Sequence, residues 1–224
     1  MPASTAPDLA VENLCVDFGP SVHALANAGL NVPGGALCGI AGPSGSGKTT
    51  LLHALAGLLR PNSGTVRWGE TTLTTLNESA RDAWRRTQLG FVFQDFHLVP
   101  ELTAAENVLL PQSFSHIRLP SNAAKRAETL LADMAIPDQR RRAALLSRGE
   151  QQRVAIARAL FADPPILLAD EPTASLDAAS AAAVADLLLD AAKSRGATLL
   201  IVSHDPELLA RLNTIHRIDK GVLT

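Results

Sequence analysis

The segment Gly42-Pro43-Ser44-Gly45-Ser46-Gly47-Lys48-Thr49 matches the pattern G-x-x-x-x-G-K-[ST] at every fixed position. Glycines at these spacings let successive backbone N–H groups converge into a concave anion site. A helix starting directly behind them adds the partial positive charge of its N-terminus. In that setting Lys48 reaches the β- and γ-phosphates of a nucleotide, the Thr49 hydroxyl reaches Mg²⁺, and Thr50 continues the same turn. The chain has only four lysines, Lys48, Lys125, Lys193 and Lys220, among 20 basic residues, which makes a lysine at the motif position informative.

A phosphate loop alone fits a kinase, a GTPase, a motor or a transport ATPase. The segment Ile166-Leu167-Leu168-Ala169-Asp170-Glu171-Pro172 adds an apolar strand that ends in two carboxylates. Asp170, at the carboxyl end of a parallel strand neighbouring the phosphate loop, is placed to hold the Mg²⁺ shell. Glu171 faces differently and can orient or deprotonate the water that attacks the γ-phosphate. Leu199-Leu200-Ile201-Val202-Ser203-His204 ends a second apolar strand in a histidine, expected where a γ-phosphate lies. The other histidines, His23, His53, His97, His116 and His216, have no metal-ligand spacing.

These groups need a sheet to carry them. Leu9 to Phe18 and Val22 to Leu25 read as short strands around Gly19-Pro20, an antiparallel opening, and Ala36 to Ala41 as a buried strand feeding the phosphate loop. Thr49 to Arg60 reads as a helix with Leu51, Leu52, Leu55, Leu58 and Leu59 on one face, stopped by Pro61-Asn62-Ser63-Gly64. From about Leu73 to Leu145 polar helices and turns dominate, which reads as a helical insert. Glu150 to Phe161 is expected to be a helix, Ala178 to Arg195 another with Asp177 as N-cap and Gly196 at its end, and Ala197 to Val202 a strand. Strand and helix alternate on either side of the insert, which argues for a mostly parallel α/β core.

With 224 residues the chain can bury a substantial core. Hydrophobic residues reach 46 %, yet the apolar stretches are broken by His53, Asp186 and Asp190, short of the ~18 to 20 residues that a spanning helix requires. A net charge of −2 provides no basic field, so nucleic acid is not an expected partner. The two cysteines, Cys15 and Cys38, form no motif and fit a reducing compartment. Met-Pro-Ala-Ser-Thr-Ala-Pro-Asp at the start lacks the basic and apolar regions of a secretory signal, so the chain is expected in the cytoplasm.

Leu146-Ser147-Arg148-Gly149-Glu150-Gln151-Gln152-Arg153, directly before the helix leading to the acidic strand, decides among the classes. It resembles the signature motif of ABC transporter ATPases, and with it the chain resembles that family from about Leu9 to Thr224. The resemblance implies one ABC ATPase domain over 1–224. Its fold would be a P-loop NTPase (RecA-like) α/β core with an N-terminal antiparallel β subdomain and an inserted helical subdomain. The catalytic lobe would span 8–95 and 156–224, and the helical signature subdomain 96–155.

It also assigns Gln94 to the Q-loop, as a catalytic and metal-shell residue, Asp177 in Ser175-Leu176-Asp177 to the D-loop, His204 to the switch position and Phe18 to adenine stacking. ATP and Mg²⁺ are the implied ligands. The resemblance implies that two such domains pair head to tail, expected here as a homodimer, so that Ser147, Gly149 and Glu150 meet the nucleotide held by the partner's phosphate loop. Each assignment has a plainer competitor: Ser147 and Glu150 also spell a capping box, Gln94 can cap a strand end, and Phe18 can fill the core.

The family usually has glycine where this chain has Arg148. If that position needed a positive φ, arginine would be strained there by roughly 1 to 2 kcal/mol; otherwise it is tolerated, and the native sequence is expected to hydrolyse ATP. The run from Gln88 to Pro100, followed by Leu102-Thr103-Ala104-Ala105-Glu106-Asn107-Val108, resembles the lipoprotein-release and macrolide-export branch. That branch implies a separate transmembrane permease subunit, contacted through Asp95 to Leu102, and a peripheral position on the inner face of the membrane. A soluble non-transport ABC ATPase and a P-loop nucleotide kinase remain the alternatives.

Overall fold

A computed structural model of the chain describes residues 6–19, 21–113 and 120–224. Pro20 of the expected turn and His116 lie outside them. The strands form two sheets. β1 (Leu9–Asp17) pairs antiparallel with β2 (His23–Val32) on one side and with β4 (Ser63–Trp68) on the other, and β5 (Thr71–Thr72) extends β4. This is the antiparallel opening expected from the sequence, with a longer second strand and a third partner.

The second sheet carries the chemistry. Its order is β10 (Val222–Leu223), β9 (Thr214–Asp219), β3 (Leu37–Ala41), β8 (Thr198–Ser203), β7 (Ile166–Asp170) and β6 (Leu89–Val92). The five strands from β9 to β6 are parallel, and β10 runs antiparallel at the edge. β7 and β8 are buried at every residue, as strands covered on both faces must be. Leu167, Ala169, Leu199 and Ile201 face a core built with α5 (Arg148–Leu160) and α6 (Ala178–Arg195). Ile166, Leu168, Leu200 and Val202 face the other way, into a core shared with α1 (Lys48–Leu55) and the antiparallel sheet.

Three expectations change. The helix after the phosphate loop ends at Leu55 and not at Arg60. Gly57, at φ +64°, puts its N–H on the Ala54 carbonyl while the Leu58 N–H reaches His53, a closing pair in which glycine supplies the left-handed step. Leu58 consequently leaves the apolar face and is 47 % exposed. The segment from Ser63, read as a stop signal, begins β4.

The region from Leu73 to Leu145 is not wholly helical either. It contains α2 (Glu78–Gln88), α3 (Ala104–Ser113) and α4 (Ala123–Asp133), but Leu89–Val92 joins the parallel sheet as β6. Gly90 permits this, because a Cβ there would lie 2.5 Å from the Ala159 carbonyl oxygen of α5. The third change is strand order: β8 lies between the phosphate-loop strand β3 and the acidic strand β7, so the strand directly beside the loop is the one that ends before His204. The capping of α6 is as expected, with the Asp177 side chain accepting the Ser180 N–H and Gly196 at φ +61°.

Candidate functional site

Four parallel strands deliver their functional residues to one edge of the sheet. The phosphate loop follows β3, His204 follows β8, Asp170 ends β7 with Glu171 next after it, and Gln94 lies two residues beyond β6. This is the carboxyl edge of an open parallel sheet, where ligands of α/β folds bind. A cleft of about 610 Å³ opens there, lined by Ser44, Gly45, Gly47, Lys48, Thr49 and Thr50 of the loop, with Gln94, Glu171 and His204 opposite and Phe18 at the rim. Phe18 is 53 % exposed, which removes the core-filler alternative.

The loop is built to approach a ligand with its backbone. Gly47 has φ +102°, and a Cβ on it would lie 2.3 Å from the Ala24 carbonyl oxygen, so only glycine fits. No acidic residue occupies the first turn of α1, and no side chain caps it, which leaves the positive helix end free for an anion. The Lys48 ammonium is buried and donates to the carbonyls of Gly42 and Pro43, each at 2.9 Å. Behind the loop, the Gly221 N–H donates to the Ser46 carbonyl at 3.0 Å.

Glu171 is the hub of the acidic end. Its backbone takes φ +46°, a left-handed conformation uncommon for a non-glycine residue and often retained at functional positions. Oε2 accepts the His204 backbone N–H at 3.2 Å and pairs with Nδ1 of the same residue at 2.9 Å, while Oε1 lies 3.9 Å from Lys48 Nζ. Asp170 Oδ1 is buried with no hydrogen-bond partner, and so is the hydroxyl of Ser46 beneath the loop. Burial pushes the Asp170 carboxyl up; the Thr49 hydroxyl and the Lys48 ammonium pull it down. An orphaned carboxylate oxygen beside a threonine hydroxyl is a donor set of the kind that suits Mg²⁺.

Ser147, Gly149, Glu150 and Asp177 do not line this cleft. Ser147 Oγ accepts the Glu150 N–H at 3.3 Å and the Glu150 carboxylate accepts the Ser147 N–H at 2.7 Å, so the capping box forms. The Ser147 N–H is the first cause of a Glu150 carboxyl held below its ordinary value. Gly149 is buried against α6: a Cβ there would lie 3.1 Å from the Ser180 hydroxyl, and Ser180 is the residue that Asp177 caps. The two helix N-termini thus form one patch apart from the cleft. Val22, His23 and Ala24 also line the cleft and carry no sequence signal, because strand residues reach it only through the hairpin.

Arg148 occupies the first turn of α5 and is absent from the positive-φ residues. The strain that would penalise arginine therefore does not arise, and its guanidinium lies 5.5 Å over the Phe96 ring. Arg148→Gly is expected to leave ATP turnover within about threefold and to lower stability by about 1 kcal/mol, from helix propensity and the lost ring contact. Phosphate release and a denaturant midpoint check both. A native chain with no activity that Arg148→Gly restores would contradict this.

Fold and site together define a P-loop domain that binds and hydrolyses ATP. A family model described as ABC transporter matches residues 25–174. The chain belongs to the ABC transporter ATP-binding family. It is 42 % identical over 203 residues to the "Lipoprotein-releasing system ATP-binding protein LolD" of Legionella pneumophila, covering 90 % of this chain and 89 % of that one. The protein of the same description from Maricaulis maris is 42 % identical over 217 residues, covering 96 % and 94 %. Among solved structures, a dimeric ATP-binding cassette in a post-hydrolysis state, bound to ADP and Pi, superposes with a TM-score of 0.88 at 35 % identity over 96 % of each chain. A component of a Clostridium perfringens ABC transporter complex gives 0.85 at 28 % identity over 98 % of this chain and 87 % of that one. The mostly parallel P-loop core with its helical and antiparallel additions agrees with the expected fold class. No helix among the described residues is long and apolar enough to cross a membrane.

Proposed function

We propose that this chain is the ATPase subunit of a transporter of the lipoprotein-release and macrolide-export type. Two copies would pair head to tail around two ATP and drive a separate transmembrane permease from the inner face of the membrane. The observation that carries the branch is the similarity, at 41 to 44 % identity over about nine-tenths of their lengths, to several curated lipoprotein-releasing ATP-binding proteins. Pairing is supported by the separation just described: the signature residues Ser147 and Gly149 lie outside the cleft that holds the phosphate loop, so a second copy is needed to bring them to a nucleotide. In this reading 8–95 and 156–224 form the catalytic lobe and 96–155 the helical one.

The residues divide the work as follows. The loop amides and Lys48 hold the β- and γ-phosphates, and Phe18 packs on the base. Asp170, Thr49 and Gln94 would hold Mg²⁺, which supplies charge neutralisation at the phosphates. Glu171 Oε1, the carboxylate oxygen not engaged by His204, takes the proton as a water oxygen attacks the γ-phosphorus and the bond to the β-phosphate oxygen breaks, giving ADP and phosphate. His204 fixes the Glu171 carboxylate through the two contacts at Oε2. Ser147 and the Gly149 N–H meet the partner's nucleotide from a helix N-terminus, Glu150 and Asp177 hold that face in shape, and release of phosphate removes the bridge between copies.

The test is the identity of the membrane subunit that copurifies with tagged chain from its native membranes. A four-helix permease with a large external domain is expected. A six-helix permease would contradict the branch, and no membrane protein at all would favour a non-transport ATPase of the same family.

A further inference from the structure

Gln94 reaches the cleft from a turn that the local sequence does not stabilise. Phe96 and His97 have φ values of +58° and +49°, two consecutive non-glycine residues in the left-handed region. L-residues enter it at a cost, and a pair persists only where surrounding contacts over-determine it. Those contacts come from α5. The Arg158 guanidinium donates from Nη2 to the Phe96 carbonyl and from Nη1 to the His97 carbonyl, each at 2.5 Å, across 62 and 61 residues of sequence. Its rigid fork suits two successive carbonyls in a way that an ammonium does not.

Further contacts fix the rings of the same turn. Phe96 is buried, with the Arg148 guanidinium over its face. The His97 ring packs on Phe93 at 4.7 Å, and Phe93 stacks on Phe91 of β6 at 4.2 Å. The turn is thus held at both its carbonyls and its rings. The one functional side chain on this turn that lines the cleft is Gln94.

We infer that Arg158 is a positioning residue for ATP hydrolysis: it holds the Phe96 and His97 carbonyls, the held turn stays left-handed, and the turn presents Gln94 to the cleft. This rests on the role proposed above for Gln94. Arg158 does not line the cleft, so its effect belongs to turnover and not to ATP affinity, which Phe18 and the loop determine.

Steady-state ATPase kinetics of the full chain, of Gln94→Ala, of Arg158→Met and of the double variant test this. Each single change is expected to lower kcat by about tenfold, as a small misplacement of a catalytic group does, with KM for ATP within about twofold. The double variant should be no slower than the slower single one, because both remove the same function. Adding His97→Gly to Arg158→Met should recover part of kcat, since glycine adopts the left-handed step unaided.

A slow Gln94→Ala beside an Arg158→Met of full kcat overturns the inference alone. So does a double variant whose loss is the product of the two single losses, the result expected of a residue that only packs the helix. A Gln94→Ala of full kcat overturns the reading of Gln94 and the inference with it. Should Arg158→Met not fold, Arg158→Lys keeps the charge with a single-point donor, and kcat should fall by about threefold at unchanged KM; an unchanged kcat there overturns the inference.

Discussion

Lys48→Ala is expected to lower ATP turnover by about 10² to 10³-fold, the scale of losing one preorganised charge or donor at developing negative charge. Phosphate release at equal concentrations of folded protein measures it. The side chain is poised for this in two ways. It is buried, so its interaction with a phosphate is only weakly screened. Its present partners are the loop's own carbonyls, at Gly42 and Pro43, so reaching a nucleotide requires an exchange of hydrogen bonds and no rearrangement of the fold. The loop itself should survive the change, since its shape is imposed by glycines such as Gly47 against the Ala24 carbonyl. A variant that keeps native-like turnover would contradict the assignment of the phosphate site.

Glu171→Gln is expected to lower turnover by about 10² to 10⁴-fold while ATP still binds with near-native affinity. Glutamine preserves the shape and can still accept the His204 N–H through its amide oxygen, so the contact at 3.2 Å need not be lost. What disappears is the proton acceptor at Oε1. The amide also removes the negative charge 3.9 Å from Lys48, a change that does not oppose binding of an anionic nucleotide. The pair of variants therefore separates two steps: Lys48→Ala impairs binding and turnover together, Glu171→Gln turnover alone. Equilibrium binding of ATP to Glu171→Gln, set beside its phosphate release, checks the separation, and a variant that loses affinity in proportion to turnover would contradict it.

The contrast between what could be read from the sequence and what could not follows physical range. The phosphate loop was legible because its function depends on local backbone shape, and glycine spacing writes that shape directly. The buried strand before Asp170 was legible because a strand covered on both faces reads as an unbroken apolar run. The early end of α1 was written in Gly57, but the leucines at 58 and 59 continue the apolar period past it and mask the stop. β6 was hidden because four residues between a polar helix and a loop form too short a run to show a period of two, and only α5 passing at Gly90 gives that strand its place.

The site divides along the same line. Gln94, Asp170, Glu171 and His204 each belong to a short motif, Phe18 is assigned by the resemblance, and all five lie at the cleft or beside it. That β8 separates β3 from β7 is a fact of sheet order, which no local pattern encodes. Arg158 is invisible for a related reason: its partners lie more than sixty residues away and are backbone carbonyls, so nothing in their side chains announces the contact. Whether Arg148 is strained at its glycine-motif position depends on its φ, which no local pattern writes; in the structure it is an ordinary helical residue with an aromatic partner.

In the function proposed above, one chain holds a nucleotide that only a second copy encloses. The solution mass of the Glu171→Gln protein with and without ATP tests this, since the variant is expected to bind nucleotide and turn it over only very slowly. One chain of 23.6 kDa is expected without ATP and twice that mass with it. A species of single-chain mass at saturating ATP, with nucleotide demonstrably bound, would contradict it.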